Sequence, residues 1–185
     1  MAFLILHGLL GSGPDHWQTW LARRLRERGE RVSYPDLPKP DAPLLDAWHE
    51  ALDRELADPD GLVVICHSLA CVLWLQHARG CSGAPVERVL LVAPPSPSVE
   101  LPARGFFPLA VEPADVARAA GSTRLVWAAD DPYCLEGAER AYAEPLELES
   151  CFVDGGGHIN PEAGYGPWPG VERWSLGSDE NGAEN

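Results

Sequence analysis

The chain has 185 residues, 45% of them hydrophobic, and a formal net charge of −14 that is spread along its length. A chain of this size buries about 70% of its unfolded surface, so it can form a hydrophobic core without support from disulfides or metal. The negative charge argues against nucleic acid and anionic membrane surfaces as partners, since both carry the same sign.

Short apolar runs alternate with helical patterns along the chain. Runs of about five residues rich in Val, Ile and Leu are typical of strands covered on both faces of a parallel sheet. They predict strands at residues 2–6, 62–66, 89–93 and 125–129, and weaker strands at 31–34 and 148–153. The spacing of apolar residues predicts helices at residues 17–28, 44–56, 68–79 and 135–143. Asp15 and Gln18 form a candidate capping box for the first helix, and Gly29 its C-cap.

This alternation of strands and helices predicts β-α-β units with right-handed crossovers. The expected fold class is therefore α/β, a three-layer α/β/α sandwich with a mostly parallel sheet. One domain accounts for residues 1–177, and residues 178–185 are expected to form a flexible C-terminal tail.

The cysteine pattern predicts neither a disulfide framework nor a zinc site, because the five cysteines include no C-x-x-C pair. We therefore expect reduced thiols, no metal and a cytoplasmic location. The N-terminal segment lacks the basic region of a signal peptide, and no apolar stretch approaches the ~20 residues that span a bilayer.

The segment around Ser68 has the pattern of a nucleophile elbow. A buried strand leads directly into Cys-His-Ser-Leu-Ala, and a helix follows at once. The sharp turn that projects such a serine needs small residues two positions before and after it, which here are Cys66 and Ala70 instead of the usual glycines. The alternative is a serine that only caps a core helix.

Candidate partners for Ser68 follow in the order Ser, acid, His that α/β-hydrolases use. Asp130 and Asp131 come just after the predicted strand 125–129, at the sheet edge where α/β sites assemble. We prefer Asp131, because Asp130 could still belong to the strand end, and both stay open. His158 lies in a glycine-rich loop after the last strand, and glycines let such a loop turn an imidazole toward the elbow.

The first strand ends in His7-Gly8 and a glycine-rich turn, where such enzymes place one oxyanion-hole amide. Leu9 is the candidate for that donor, and Leu69, the residue after Ser68, is the candidate for the second. A phosphate-binding loop is the competing interpretation. It does not fit, because no Gly-Lys-Ser/Thr is present and the glycine order differs from G-x-G-x-x-G.

Together the segments 7–17, 66–71, 129–134 and 156–160 resemble the small serine-hydrolase family of the retinoblastoma-binding-protein and YdeN type. The resemblance extends from Phe3 to the stretch 164–169. It implies a minimal α/β-hydrolase fold without a cap domain, a Ser-Asp-His triad and esterase-like activity. The departures are Cys66 and Ala70 in the elbow and His7, where members often have Pro.

These residues predict a serine hydrolase that cleaves an ester, thioester or amide of a small acyl substrate, and this chemistry needs no cofactor. The alternative is a hydrolase-fold module that binds a ligand or a protein, since a fold does not fix a function. No protein partner is indicated by the sequence, although none is excluded.

Several other side chains near the predicted site have less specific roles. His67 is expected to pack or hydrogen-bond locally, and His7 and His16 to anchor loops. Cys71 is expected to be buried. The aromatic residues Phe106, Phe107 and Trp168 could line the site as an apolar wall for an acyl chain, or they could belong to the core. The sequence does not decide between these two roles.

Overall fold

A computed structural model describes residues 1–178, and six strands form one parallel sheet within them. The spatial order of the strands is β2-β1-β3-β4-β5-β6, and every neighbouring pair is parallel. The strands are β1 Ala2–Leu6, β2 Arg31–Ser33, β3 Leu62–His67, β4 Arg88–Val92, β5 Thr123–Trp127 and β6 Glu149–Phe152.

Helices cover both faces of the sheet. They are α1 Trp17–Glu27, α2 Leu45–Glu55, α3 Leu69–Gly80, α4 Pro113–Ala119, a π-helical turn Glu139–Ala143 that continues into α5 Glu144–Leu146, a 3-10 turn Pro161–Ala163, and α6 Pro169–Ser175. No helix within residues 1–178 is both long enough and apolar enough to cross a lipid bilayer.

The alternation of side chains along β1 and β3 divides the interior into two apolar cores. Leu4, Leu6 and Val64 face α2, α3, α4 and α5, whereas Phe3 and Ile5 face α1 and α6. Each strand is therefore apolar on both faces, which explains why the runs in the sequence do not alternate with polar residues. The predicted three-layer α/β/α architecture is confirmed.

The boundaries of several elements differ from the prediction. The strand expected at 125–129 lies two residues earlier, at Thr123–Trp127. The helix expected at 135–143 begins only at Glu139, because Gly137 takes a left-handed φ of 81° and Leu135 is 84% exposed. Helices α4 and α6 were not expected. Residues 179–185 of the predicted tail lie outside the described residues.

The predicted cap of α1 is wrong in one residue. His16, not Asp15, is the N-cap, and its Nδ1 accepts from the Gln18 N–H at 3.2 Å. The Gln18 side chain is turned inward instead, where its Nε2 donates to the Leu6 carbonyl at 2.9 Å. The helix does end as expected, with Gly29 at a left-handed φ of 82°.

The strand order places a topological switch point between β1 and β3. The chain leaves β1 toward β2 on one side, and it leaves β3 toward β4 on the other. In open α/β sheets, ligands bind in the crevice beyond the carboxyl ends of such a strand pair. The residues that follow β1 and β3 here are the Gly8 loop and Ser68.

Candidate active site

Ser68 lies on a strained turn between β3 and α3. Its backbone angles are φ 55° and ψ −124°, a conformation that L-residues rarely adopt, and its N–H donates to the Val92 carbonyl at 2.9 Å. Such strain costs on the order of 1–3 kcal/mol and is found where a function needs it. Cys66 and Ala70 are fully buried on either side, so small residues other than glycine fit this elbow.

Three of the predicted side chains form a hydrogen-bonded chain. His158 Nε2 lies 2.9 Å from Ser68 Oγ, and His158 Nδ1 lies 3.0 and 2.9 Å from the two carboxylate oxygens of Asp131. A carboxylate only accepts, so Nδ1 carries the proton. The free lone pair on Nε2 is then positioned to accept the hydroxyl proton of Ser68.

The two candidate acids have different partners. Asp131 is 2% exposed and also accepts the Tyr133 N–H at 2.9 Å, so its orientation is fixed. Asp130 is exposed and accepts the Gly157 N–H at 2.9 Å. Only Asp131 contacts the imidazole of His158 among these two.

The loop after β1 lies directly against Ser68 at Gly8. A Cβ on Gly8 would lie 2.6 Å from Ser68 Cβ and 3.1 Å from Ser68 Oγ, so only glycine allows this approach. The Gly8 carbonyl accepts from His7 Nδ1 at 2.8 Å and from the Gly11 N–H at 3.2 Å. Because a trans peptide is planar, these bonds turn the N–H of Leu9 to the opposite side.

Two backbone N–H groups near Ser68 have no acceptor among the residues that the structure describes. Leu69 is the first residue of α3, so its N–H has no partner within the helix. For the N–H of Leu9, no group within residues 1–178 is in hydrogen-bonding position. Such free donors beside a candidate nucleophile can stabilise an oxygen that gains negative charge.

A cavity of about 310 Å³ opens in front of Ser68 and His158. Its apolar lining comes from Leu9, Leu10, Pro95, Leu101, Tyr133 and Pro161. Among the described residues, the lining includes no lysine or arginine, and Glu162 is its one carboxylate.

The aromatic residues left open by the sequence belong to the core. Phe106 is fully buried against Trp48, with ring centroids 5.3 Å apart. Trp168 is fully buried against Trp17, at 5.1 Å. Phe107 packs against the same core as Phe106, and none of these side chains lines the cavity.

The sequence profile of the family described as serine hydrolase matches residues 3–175. This chain belongs to the serine hydrolase family. The match covers nearly the whole described part of the chain, including the elbow, the Asp131 loop and the His158 loop, and it confirms the resemblance drawn from the motifs.

Two relatives support the same assignment. The YdeN hydrolase of Bacillus subtilis (strain 168) is 29% identical over 79 residues, which are 40% of this chain and 42% of YdeN. The crystal structure of YdeN aligns with a TM-score of 0.84 at 21% identity, over 96% of this chain and 97% of YdeN. A YdeN-like hydrolase from Pectobacterium atrosepticum aligns with a TM-score of 0.72 at 26% identity, over 96% of this chain and 90% of that one.

Burial lowers the pKa of three histidines around the candidate site of the serine hydrolase, namely His7, His16 and His67. Burial lowers the pKa of His7, whose Nε2 accepts the Leu37 N–H at 2.9 Å and so anchors the loop after β2. Burial, and then the neighbouring His158 and His7, lower the pKa of His16 to about 4. His7 and His16 therefore anchor the backbone around the site, as expected.

His67 does not make the local contact that the sequence predicts. It contacts the loop of His158, 91 residues away, because its Nε2 lies 3.0 Å from the His158 carbonyl. Burial, followed by the effect of His158, lowers the pKa of His67 well below its usual value.

None of the five cysteines, all of which lie within residues 1–178, forms a disulfide. Cys71 is fully buried and its Sγ–H points to the Val92 carbonyl at 3.4 Å, and burial raises its pKa. Burial therefore disfavours a thiolate at the start of α3. Within residues 1–178, no cluster of three or more His, Cys, Asp or Glu side chains has the arrangement of a metal site.

One buried polar contact near the site has no signal in the sequence. Ser96 is 3% exposed, its Oγ bonds to Glu136 Oε1 and, at 2.7 Å, to Ser98 Oγ, and its N–H donates to the Tyr133 carbonyl at 2.8 Å. These bonds fasten the loop after β4 to the loop that carries Asp131. A serine between two prolines gives no pattern from which this could be predicted.

Proposed function

We propose that this serine hydrolase cleaves an ester or thioester of a small, uncharged acyl group through a Ser68-His158-Asp131 catalytic triad and an acyl-enzyme. The observation that carries the proposal is the hydrogen-bonded chain from Asp131 through His158 to Ser68, with contacts of 2.9–3.0 Å. The buried carboxylate fixes the tautomer that a general base needs, and Ser68, on its strained turn, lines the cavity.

In the proposed reaction, Ser68 Oγ attacks the acyl carbonyl carbon while His158 Nε2 takes the hydroxyl proton. Asp131 stabilises the imidazolium that forms. His158 then gives the proton to the leaving alcohol or thiol, which departs and leaves the acyl group on Ser68. A water molecule, deprotonated by His158, attacks the acyl-enzyme in the same way and releases the acid.

The oxyanion of each tetrahedral intermediate would accept from the N–H groups of Leu9 and Leu69. Removal of one such donor typically costs about 10²–10³-fold in rate. The close approach of Gly8 to Ser68 and the fixed direction of the Gly8 carbonyl support this assignment.

The cavity favours a small, uncharged acyl group. Its volume of about 310 Å³ is near the lower end for ligand pockets, and leucine and proline side chains form much of its wall. A carboxylate on the acyl group would enter a site whose described lining offers no lysine or arginine to pair it, and burial of an unpaired charge is costly.

The remaining features of the proposal concern the whole chain. Residues 1–177 act as one catalytic domain, because both apolar cores share one sheet. Five cysteines without a disulfide favour a reducing, cytoplasmic location. A pure binding module has no need for an aligned nucleophile, base and acid, so the aligned chain favours catalysis.

The test is a pre-steady-state measurement with p-nitrophenyl acetate. We expect a burst of one p-nitrophenolate per enzyme and a mass increase of one acetyl group on Ser68. Ser68→Ala and His158→Ala should abolish both, whereas the exposed loop variant Ser82→Ala should retain them. Turnover of esters and thioesters by Ser68→Ala at the wild-type rate would refute the triad.

A further inference from the structure

The loop that carries His158 is held at three consecutive residues by three separate parts of the fold. This base loop, residues 156–160, follows β6, and its backbone makes one hydrogen bond with a side chain at each of its three central positions. The bonds run from the Gly157 N–H to Asp130 Oδ1 at 2.9 Å, from His67 Nε2 to the His158 carbonyl at 3.0 Å, and from Trp17 Nε1 to the Ile159 carbonyl at 2.8 Å.

The base loop has a backbone that needs such support. Gly157 has a φ of 51° and Ile159 a φ of 47°. A positive φ is unusual for any residue with a side chain and is a clear outlier for a β-branched one. The left-handed conformation costs such a residue roughly 1–2 kcal/mol, so the loop keeps this shape only if contacts from outside it compensate.

The contact from His67 links the base to the turn of the nucleophile itself. His67 directly precedes Ser68, so His158 is tied to adjacent residues twice, by its carbonyl to His67 and by its ring to Ser68 Oγ. These two bonds close a small ring of contacts that fixes the distance between base and nucleophile. The His67 ring cannot easily move, because it is packed edge-on against Trp17 at 5.8 Å and lies 5.0 Å from the His158 ring.

A neutral donor suits the position of His67. A carbonyl only accepts, so His67 carries its proton on Nε2. Burial keeps the ring uncharged. A lysine or arginine could also donate to the carbonyl, but its positive charge would repel the imidazolium that the proposed reaction forms on His158.

We propose that His67, Asp130 and Trp17 are positioning residues that clamp the base loop and hold His158 at hydrogen-bonding distance from Ser68. The proposal rests on the proposed role of His158 as general base. These three residues act only through the base loop, and none of them exchanges a proton with substrate.

The clamp predicts a loss of reactivity without a matching loss of substrate binding or stability. A misplacement of about 1 Å costs up to about 10²-fold in rate, so we expect a 10- to 100-fold loss for each clamp variant. A purely structural role would lower the unfolding midpoint and leave the reactivity of the folded fraction unchanged.

The experiment measures the second-order rate of labelling by a fluorophosphonate, kcat and KM for p-nitrophenyl acetate, and the thermal midpoint. His67→Leu and Asp130→Ala should label about 10- to 100-fold more slowly with KM nearly unchanged. His67→Gln, whose amide N–H can reach the same carbonyl, should recover most of the rate. Asp154→Ala is the control for Asp130→Ala, since Asp154 is exposed and lies just outside the base loop.

Two outcomes would overturn the clamp. One is wild-type labelling by folded Asp130→Ala and His67→Leu, and the other is a His67→Gln variant as slow as His67→Leu. If wild-type enzyme is not labelled at all, the proposed function fails instead. In that case the clamp is tested by NMR, through the low-field proton resonance of the His158 Nδ1–H. This resonance should persist in His67→Gln and be lost in Asp130→Ala. Its retention in Asp130→Ala would contradict the clamp.

Discussion

The contact between Gly8 and Ser68 gives a sharp test of the candidate oxyanion hole. In Gly8→Ala, the added Cβ would lie 2.6 Å from Ser68 Cβ, whereas carbon atoms pack best at about 3.5–4.0 Å. The loop after β1 and the elbow must therefore separate by about 1 Å. The Leu9 N–H moves with this loop, so the variant should shift one donor away from the oxyanion while the triad side chains remain.

The size of the effect follows from that displacement. Misplacement by about 1 Å, or loss of one oxyanion donor, each costs about 10²-fold in rate. We therefore expect kcat for p-nitrophenyl acetate to fall about 100-fold in Gly8→Ala. The loss of affinity for the ground-state ester should be smaller, because an oxyanion donor acts mainly on the transition state.

The assay compares kcat, KM and the thermal midpoint of Gly8→Ala and Gly83→Ala. Gly83 is a suitable control because a Cβ there has no heavy atom within 4 Å. A kcat of Gly8→Ala within about threefold of the wild-type value, in a folded protein, would refute the assignment of Leu9 as an oxyanion donor.

Further predictions concern the acid, the pH dependence, the substrate and the packing of α6. Asp131→Asn should lower kcat by about 10⁴-fold with the fold intact, and Asp154→Asn should not; comparable rates would exclude Asp131 as the acid. The depressed pKa of His16, about 4, means that below pH 6.5 the unfolded chain binds a proton that the folded chain does not. The free energy of unfolding should therefore fall by about 3 kcal/mol as the pH drops from 6.5 to 4, and urea titrations in His16→Gln should show a smaller drop. Since the cavity has no lysine or arginine among its described lining residues, kcat/KM should be at least about tenfold higher for p-nitrophenyl butyrate than for the monosuccinate ester. A preference for the succinate would contradict this. The Glu172 side chain is 10% exposed, accepts a hydrogen bond from Arg28 at 2.8 Å and so joins α6 to the end of α1. Glu172→Ala should therefore lower the free energy of unfolding by about 1–3 kcal/mol in urea titrations.

The central layer of the fold was predictable because its strands are apolar on both faces. The runs in β1, β3 and β4 predicted buried strands, and their alternation with helices predicted a parallel sheet, whereas the strand order came only from the structure. The later helices were less predictable. Leu135 suggested a helix face, yet it is 84% exposed in a loop, and α6 lies in a stretch of Gly and Pro that gives no helical spacing.

The sequence predicts a residue of the candidate site when its type and its neighbours in the chain are enough to identify it. Ser68 and His158 follow from the elbow and the glycine-rich loop. Asp131 was preferred on the expectation that Asp130 could lie in the strand, and that reason is wrong, because β5 ends at Trp127. The two aspartates are distinguished only by their partners, His158 and the Gly157 N–H.

Contacts between segments that are far apart in the sequence could not be predicted. His67 bonds to a residue 91 positions away, and its neighbours in sequence give no hint of that partner. Trp17 likewise donates to the Ile159 carbonyl at 2.8 Å over a separation of 142 residues. Such contacts depend on the curvature of the sheet and the packing of α1, which composition and periodicity do not specify.

The most direct test of the central claim is the intact mass of the purified protein after treatment with a fluorophosphonate. The Ser68-His158-Asp131 assignment predicts one label per chain, with no label on Ser68→Ala and much slower labelling of His158→Ala. Absence of a label on folded wild-type protein, or a label that persists in Ser68→Ala, would contradict the assignment of Ser68 as the activated nucleophile.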